Sequence, residues 1–155
     1  MTTAYFLDSS AAIKLYVVER GTTWITNLAA VAGRNEIFIV RLTVVEIAAT
    51  LFRRVRGSKL SEEQAASAVS ALYRDIEWTY QIVEFNPVLS DLALTMAERH
   101  GLRGYDCVQL AAAVTVQEDR GPAHLPSIAL VSADWELNEA ARAEGLQVVD
   151  PNDYP

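Results

Sequence analysis

The stretch Tyr5-Phe6-Leu7-Asp8-Ser9-Ser10 decides how the rest of the chain is read. Tyr5 to Leu7 is a short apolar run with β-prone aromatics, and it ends at a carboxylate followed by two serines. Residues Ala11 to Val18 then carry helix formers, Ile13 and Leu15 among them. A strand, an acid and a helix in that order open a parallel α/β unit. In such sheets ligands gather at the carboxyl ends of the strands, where the topology changes direction. Asp8 therefore has two readings, an N-cap for the helix and a reactive group facing a crevice.

The following segments repeat the pattern. Gly21-Thr22-Thr23 opens a second helix, in which Trp24, Ile25, Leu28, Ala29 and Ala32 recur at helical spacing before Gly33 ends it. Glu36 to Val40 is expected to be the second strand, leading into a helix that begins near Thr43. Thr43-Val44-Val45-Glu46 has the form of a capping box, with Val44, Ala48, Leu51, Phe52 and Val55 as the apolar stripe. Gly57 closes this helix and Ser61-Glu62-Glu63-Gln64 opens the next with a second capping box, giving an antiparallel hairpin. Gln81 to Phe85 is a third strand, and Asn86-Pro87 starts a helix that stops at Gly101. Tyr105 to Val116 is apolar almost all round, the mark of a buried helix. Ile128 to Val131 reads as a strand covered on both faces. Asp134 then caps a helix from Trp135 to Glu144, and Gln147 to Val149 is a last short strand.

A chain of 155 residues with 51% hydrophobic and 21% charged residues suits one domain spanning residues 1–155 with a sizeable core. The single cysteine, Cys107, excludes a disulfide within the chain. No apolar run approaches membrane-spanning length, and the expectation is a soluble, cytoplasmic protein without a membrane partner. A net charge of −7 argues against a broadly basic nucleic-acid binder, although a local basic strip beside an acidic site remains compatible with it.

Four acids carry the chemical argument. Asp106 sits in the first turn of the buried helix, and no lysine or arginine occurs from Asp106 through Asp119. A desolvated carboxylate takes up a proton or finds a positive partner. The helix N-terminus and Arg103 are the alternative source of that support. Asp134 ends the fourth strand on the same sheet edge as Asp8, and can equally be an N-cap. Glu46 has the capping-box reading. All four fall just after a strand or in a helix's first turns, so they point toward one crevice. Like charges gathered there repel unless a cation intervenes. Oxygen-only ligands suit Mg²⁺ or Mn²⁺ over zinc, and such a site can activate water and clamp a phosphodiester.

The segments "YFLDSSAAIKLY", "LTVVEIAATLFR", "LRGYDCVQLAAA" and "LVSADWELNEAARAEGL" resemble, in order and over nearly the whole chain, the PIN domain family. Within that family the chain looks like the small VapC-type toxin ribonucleases of bacterial toxin–antitoxin pairs. The resemblance implies a three-layer α/β/α fold with a central parallel sheet of order 3-2-1-4-5. It implies Mg²⁺- or Mn²⁺-dependent endonuclease activity on RNA, a homodimer, and inhibition by a small VapB-type antitoxin. Asp8, Glu46, Asp106 and Asp134 match the family's acidic quartet as metal ligands and catalytic groups. Ser10 matches its small polar residue beside the first acid, and Ser132 is expected to support the site with it.

Arg53, Arg54, Arg56 and Lys59 form the only basic run. They are either solvated cations at a helix C-terminus or a strip that meets RNA phosphates or an antitoxin acid. The helix hairpin from Leu42 to Tyr80 has apolar residues to spare and is expected to form part of an antitoxin groove. The helices near Lys14 and Asn86 are expected to pair in the dimer. Two other readings compete. One is an RNA- or protein-binding module on the same fold without catalysis. The other is an aspartate-based phosphatase or phosphoacceptor domain, which uses a late lysine; here no lysine follows Lys59.

Overall fold

The computed structural model describes residues 3–30 and 34–155; the expected helical position Ala32 and stop Gly33 lie outside them. Five parallel strands form one sheet in the order β3-β2-β1-β4-β5, as the resemblance implies. The strands are β1 (Thr3–Leu7), β2 (Asn35–Val40), β3 (Tyr80–Val83), β4 (Ile128–Val131) and β5 (Gln147–Val149). Register pairs Phe6 of β1 with Phe38 on one side and with Leu130 on the other. Every residue of β4 is buried, as an uninterrupted apolar strand between two neighbours requires.

The chain winds from β1 to β2 and β3 on one side, then returns to lay down β4 and β5 on the other. The order therefore reverses between β1 and β4, and the crevice opens beyond their carboxyl ends. Helices cover both faces. One layer holds α1 (Ser9–Ala12), α2 (Thr22–Ala30), α3 (Arg41–Arg56) and α4 (Glu62–Trp78), packed on Leu7, Ile37, Ile39 and Val131. The other holds α5 (Pro87–His100), α6 (Gly104–Arg120) and α7 (Trp135–Ala143), packed on Ala4, Phe6, Ile128 and Leu130. Alternate β1 side chains serve the two layers, the expected result of a period of two.

Several boundaries follow their sequence signals. The Ser61 hydroxyl and the Gln64 amide form the reciprocal capping box of α4, which stabilises it by about 1 kcal/mol. Asn86 caps α5 with Pro87 in its first turn, and Gly101 ends it in the left-handed conformation. From Cys107 to Val114 every residue of α6 is buried.

Others differ. α3 begins at Arg41 directly after β2, and Val40 provides no side-chain cap. There is no capping box at Thr43: that residue is fully buried and faces α6, where its hydroxyl accepts from Gln109. The buried stripe of α3 is Thr43, Ile47 and Leu51, and Phe52 is 54% exposed. The helix after Asp8 is also shorter than the run Ala11–Val18. It passes into a 3-10 turn over Ile13–Leu15, in which Lys14 is drawn inward, to Glu19 (3.3 Å) and Asn152 (3.1 Å). Lys14 is only 5% exposed.

Gly21 meets the end of the chain. Its φ is +86°, and a Cβ there would stand 2.4 Å from the Pro151 carbonyl oxygen. Gly145 has a similar φ of +83° but open space around it. Gly145→Ala is expected to lose about 1 kcal/mol from backbone strain alone. Gly21→Ala should lose roughly 2–4 kcal/mol, since overpacking adds to the strain. Urea unfolding, read as midpoint shifts at constant slope, measures both.

Candidate active site

The backbone N–H of Asp8 donates to the Val131 carbonyl (3.2 Å), stitching the end of β1 to that of β4. Its carboxylate is buried and accepts from the Ala11 N–H (2.9 Å), the Ser10 hydroxyl (2.7 Å) and the Ser132 hydroxyl (2.9 Å). Asp8 thus caps α1 and also sits at the reversal of the sheet; the two readings of it hold together. The serines are themselves fixed. Ser10 accepts from the Ala133 N–H (2.9 Å), and Ser132 from the Asp134 N–H (3.0 Å). The Asn138 amide donates to the Ser132 carbonyl (2.9 Å). Three donors favour the ionised carboxylate, yet burial outweighs them and raises the Asp8 pKa from 3.8 to about 7, with the charge of Asp106 adding to the rise.

Asp134 caps α7, its Oδ1 accepting from the Leu137 N–H (3.1 Å). Asp106 stands in the first turn of α6. Burial, then the charge of Asp134, push its pKa up, while Arg103 pulls it down. The Arg103 guanidinium bridges the two, 3.3 Å from Asp106 Oδ2 and 3.2 Å from Asp134 Oδ2. Its side chain is 77% exposed, so it is a solvent-side counter-ion free to swing away.

Glu46 lies in a second, adjoining network. Its Oε2 accepts from the Ser9 hydroxyl and from Gln109 Nε2 (3.3 Å). The same Nε2 donates to Ser9 Oγ and Thr43 Oγ1, both at 2.9 Å. The structure therefore couples Asp8, Asp106 and Asp134 electrostatically and holds Glu46 beside them through Ser9 and Gln109. Among the described residues, no three histidine, cysteine, aspartate or glutamate side chains are posed closely enough to grip a metal ion. The donor chemistry nevertheless fits a hard cation. All four acids offer oxygen, two are pushed toward protonation, and a guanidinium already bridges Asp106 and Asp134.

Beside this edge a groove of about 370 Å³ is lined by Ser9, Ser10, Val45, Glu46, Arg53 and Tyr105. Arg53 is exposed at its rim, with one contact to Thr50 (3.3 Å). Arg54 is paired with Glu19 (3.1 Å), and Arg56 is exposed in the last turn of α3. The expected basic strip thus divides, one member being tied into the fold.

The residues missing from the sequence reading of the site are Ser9, Gln109 and Asn138. Gln109 did carry a signal: it is the one amide among Cys107 to Val114 of an otherwise apolar helical stretch. A polar residue buried there needs partners, and its spacing of three from Asp106 turns it toward the same crevice.

A parallel sheet of order 3-2-1-4-5 between two helix layers, with aspartates gathered where the order reverses, is the arrangement that the PIN resemblance implies. The chain belongs to the PIN domain family, whose model matches residues 5–143. It is 30% identical over 148 residues to Ribonuclease VapC45 of Mycobacterium tuberculosis (strain CDC 1551 / Oshkosh), covering 96% of this chain and 95% of that one. Ribonuclease VapC49 of M. tuberculosis (strain ATCC 25618 / H37Rv) matches to the same extent. Among solved structures, PAE2754 from Pyrobaculum aerophilum superposes with a TM-score of 0.65 at 21% identity, covering 99% of this chain and 94% of that one. VapBC2 from Rickettsia felis, bound to a DNA fragment from its promoter, gives 0.62 at 18% identity, covering 96% and 98%.

The raised pKa of Asp8 fixes a pH dependence. Between about pH 4 and 7 the folded chain keeps a proton on Asp8 that the unfolded chain has lost. Stability in chelator should therefore fall as pH rises through that window, by on the order of 3–4 kcal/mol, and level off above it. Asp8→Asn, which cannot ionise, should remove most of the fall. Denaturant titrations at pH 5 and pH 8 on both proteins measure the difference.

Proposed function

We propose that this chain is a Mg²⁺- or Mn²⁺-dependent endoribonuclease toxin. The observation that carries the reading is the convergence of Asp8, Asp106 and Asp134 at the sheet reversal, with Arg103 as a displaceable counter-ion. Its full-length relatives named ribonucleases support RNA as the substrate. Asp8, Asp106, Asp134 and Glu46 would hold the cation. Bound there, it would supply a water of lowered pKa and neutralise charge on the attacked phosphodiester. Asp106, Asp134 and Glu46 would turn toward Asp8 for this, and Arg103 would leave the two aspartates. Ser10 and Ser132 keep the Asp8 carboxylate in one orientation throughout.

The groove beside Glu46 would seat the substrate strand. Arg53 offers a cation to a phosphate, and Tyr105, 50% exposed, offers a ring to an unstacked base. That pairing favours single-stranded or loop RNA over a duplex. A second groove, lined in part by Leu15, Val18, Leu60 and Ala68, runs between the 3-10 turn and the α3–α4 hairpin. It would take the apolar face of an antitoxin helix, from which a basic side chain would reach the acids. A homodimer would use the exposed Val88 and Leu94 of α5.

The purified protein should cut single-stranded or loop RNA with Mg²⁺ or Mn²⁺ and stop in excess chelator; cleavage that persists in chelator would exclude the mechanism. Asp106→Asn should lower cleavage by orders of magnitude while holding or raising stability in chelator, because like-charge repulsion is relieved. Asp91→Asn, exposed on α5, should change neither. Light scattering at micromolar concentration should return the mass of a dimer, and Leu94→Glu should return a monomer.

A further inference from the structure

We infer that Gln109 is the positioning residue that sets the Glu46 carboxylate relative to Asp8 and Asp106; this rests on the function proposed above. Gln109 is 2% exposed. Its Nε2 has two hydrogens and three acceptors within reach, Ser9 Oγ (2.9 Å), Thr43 Oγ1 (2.9 Å) and Glu46 Oε2 (3.3 Å). Its Oε1 is buried without a partner, one of two such side-chain atoms among the described residues.

The unpaired carbonyl is the informative feature. Turned over, the amide oxygen could accept from the Thr43 hydroxyl, and the carbonyl would no longer be alone. It would then present an oxygen to the carboxylate of Glu46. The orientation is thus dictated by the charge of Glu46, at the expense of a buried acceptor that proteins rarely leave unsatisfied. Ser9 points the same way: its one hydrogen goes to Glu46, so its oxygen is left to accept from the amide.

Connectivity adds to the argument. Gln109 lies three residues after Asp106, Thr43 lies three before Glu46, and Ser9 follows Asp8. One side chain therefore ties together α6, α3 and α1, the elements that carry three of the four acids. Its removal would leave the Ser9 hydroxyl as the remaining side-chain donor to Glu46, at the edge of the open groove that Glu46 lines. A partner that orients a metal-binding carboxylate typically alters metal affinity by about 10–100-fold when lost.

The test is Mn²⁺ binding to the full chain by calorimetry, with thermal unfolding in chelator alongside. Gln109→Met keeps the shape without the donor, and Gln109→Asn keeps the amide but falls a methylene short of Glu46. Gln109→His retains a ring N–H. The Met and Asn variants should bind Mn²⁺ about 10–100-fold more weakly, and His should recover most of the loss. A purely structural role would move unfolding in chelator and leave Mn²⁺ affinity alone in every folded variant. Wild-type affinity in either Met or Asn overturns the inference, so a failure of one to fold leaves the other decisive. Asp8→Asn in the same titration separates the two levels. If it weakens binding while the Gln109 variants do not, only the role of Gln109 falls. If it also binds like wild type, the metal site itself is wrong and the inference falls with it.

Discussion

The carboxylate of Asp8 stands at the point where the sheet reverses, buried, and with three hydrogen-bond donors that do not offset its loss of water. Most of the local architecture answers to it. Ser10 and Ser132 are each held by a backbone N–H from the turn after β4, so the lattice around the acid also fixes the path into α7. The same turn delivers Asp134. A single buried carboxyl group thus links the first strand, the fourth strand and two helix N-termini, and burial makes its charged form costly. Donors alone favour the ionised form by hydrogen bonding; only a positive charge can cancel the field that Asp106 adds.

Arg103 supplies part of that charge from outside. Its position before α6 lets it reach Asp106 on its own helix and Asp134 on the next. Such an exposed pair binds loosely and is screened by salt. A tightly buried lysine or arginine would have neutralised the edge permanently. Lys14, by contrast, is buried in the neighbouring layer and committed to Glu19 and Asn152. The fold therefore commits its buried lysine to structure and leaves the acidic edge to an exposed arginine.

How much of this could be read from the chain depends on how local each signal is. The sheet elements were legible because parallel strands are short apolar runs ended by acids or turns, as in Tyr5–Leu7 and Ile128–Val131. The Ser61–Gln64 capping box was legible because its whole mechanism lies within four residues. Thr43 and Glu46 have the same spacing and a different structure. Their hydroxyl and carboxylate are drawn to Gln109 and Ser9, which are distant in sequence, and tertiary partners outcompete the local pattern. Phe52 lies off the buried face for a related reason: α3 buries Thr43, Ile47 and Leu51, and a stripe chosen by hydrophobicity alone slips round the helix. The nature of the acidic set was visible in sequence, whereas the orientation of its members depends on contacts that span the chain.

The short first helix shows how the far end of the chain supports the site. α1 has four residues before it tightens into a 3-10 turn, too few to hold Ser9 and Ser10 in place by helix formation alone. Its support comes from outside. Lys14 reaches Asn152, Arg20 donates to the Asn152 carbonyl, and Trp24 stacks on Tyr154 with ring centroids 4.7 Å apart. Gly21 lets the backbone pass close beneath Pro151. The C-terminal turn therefore acts as a strap across the segment that follows Asp8. Ser9 and Ser10 are held besides by Gln109 and the Ala133 N–H, and the sheet by its own ladder and by two separate apolar layers.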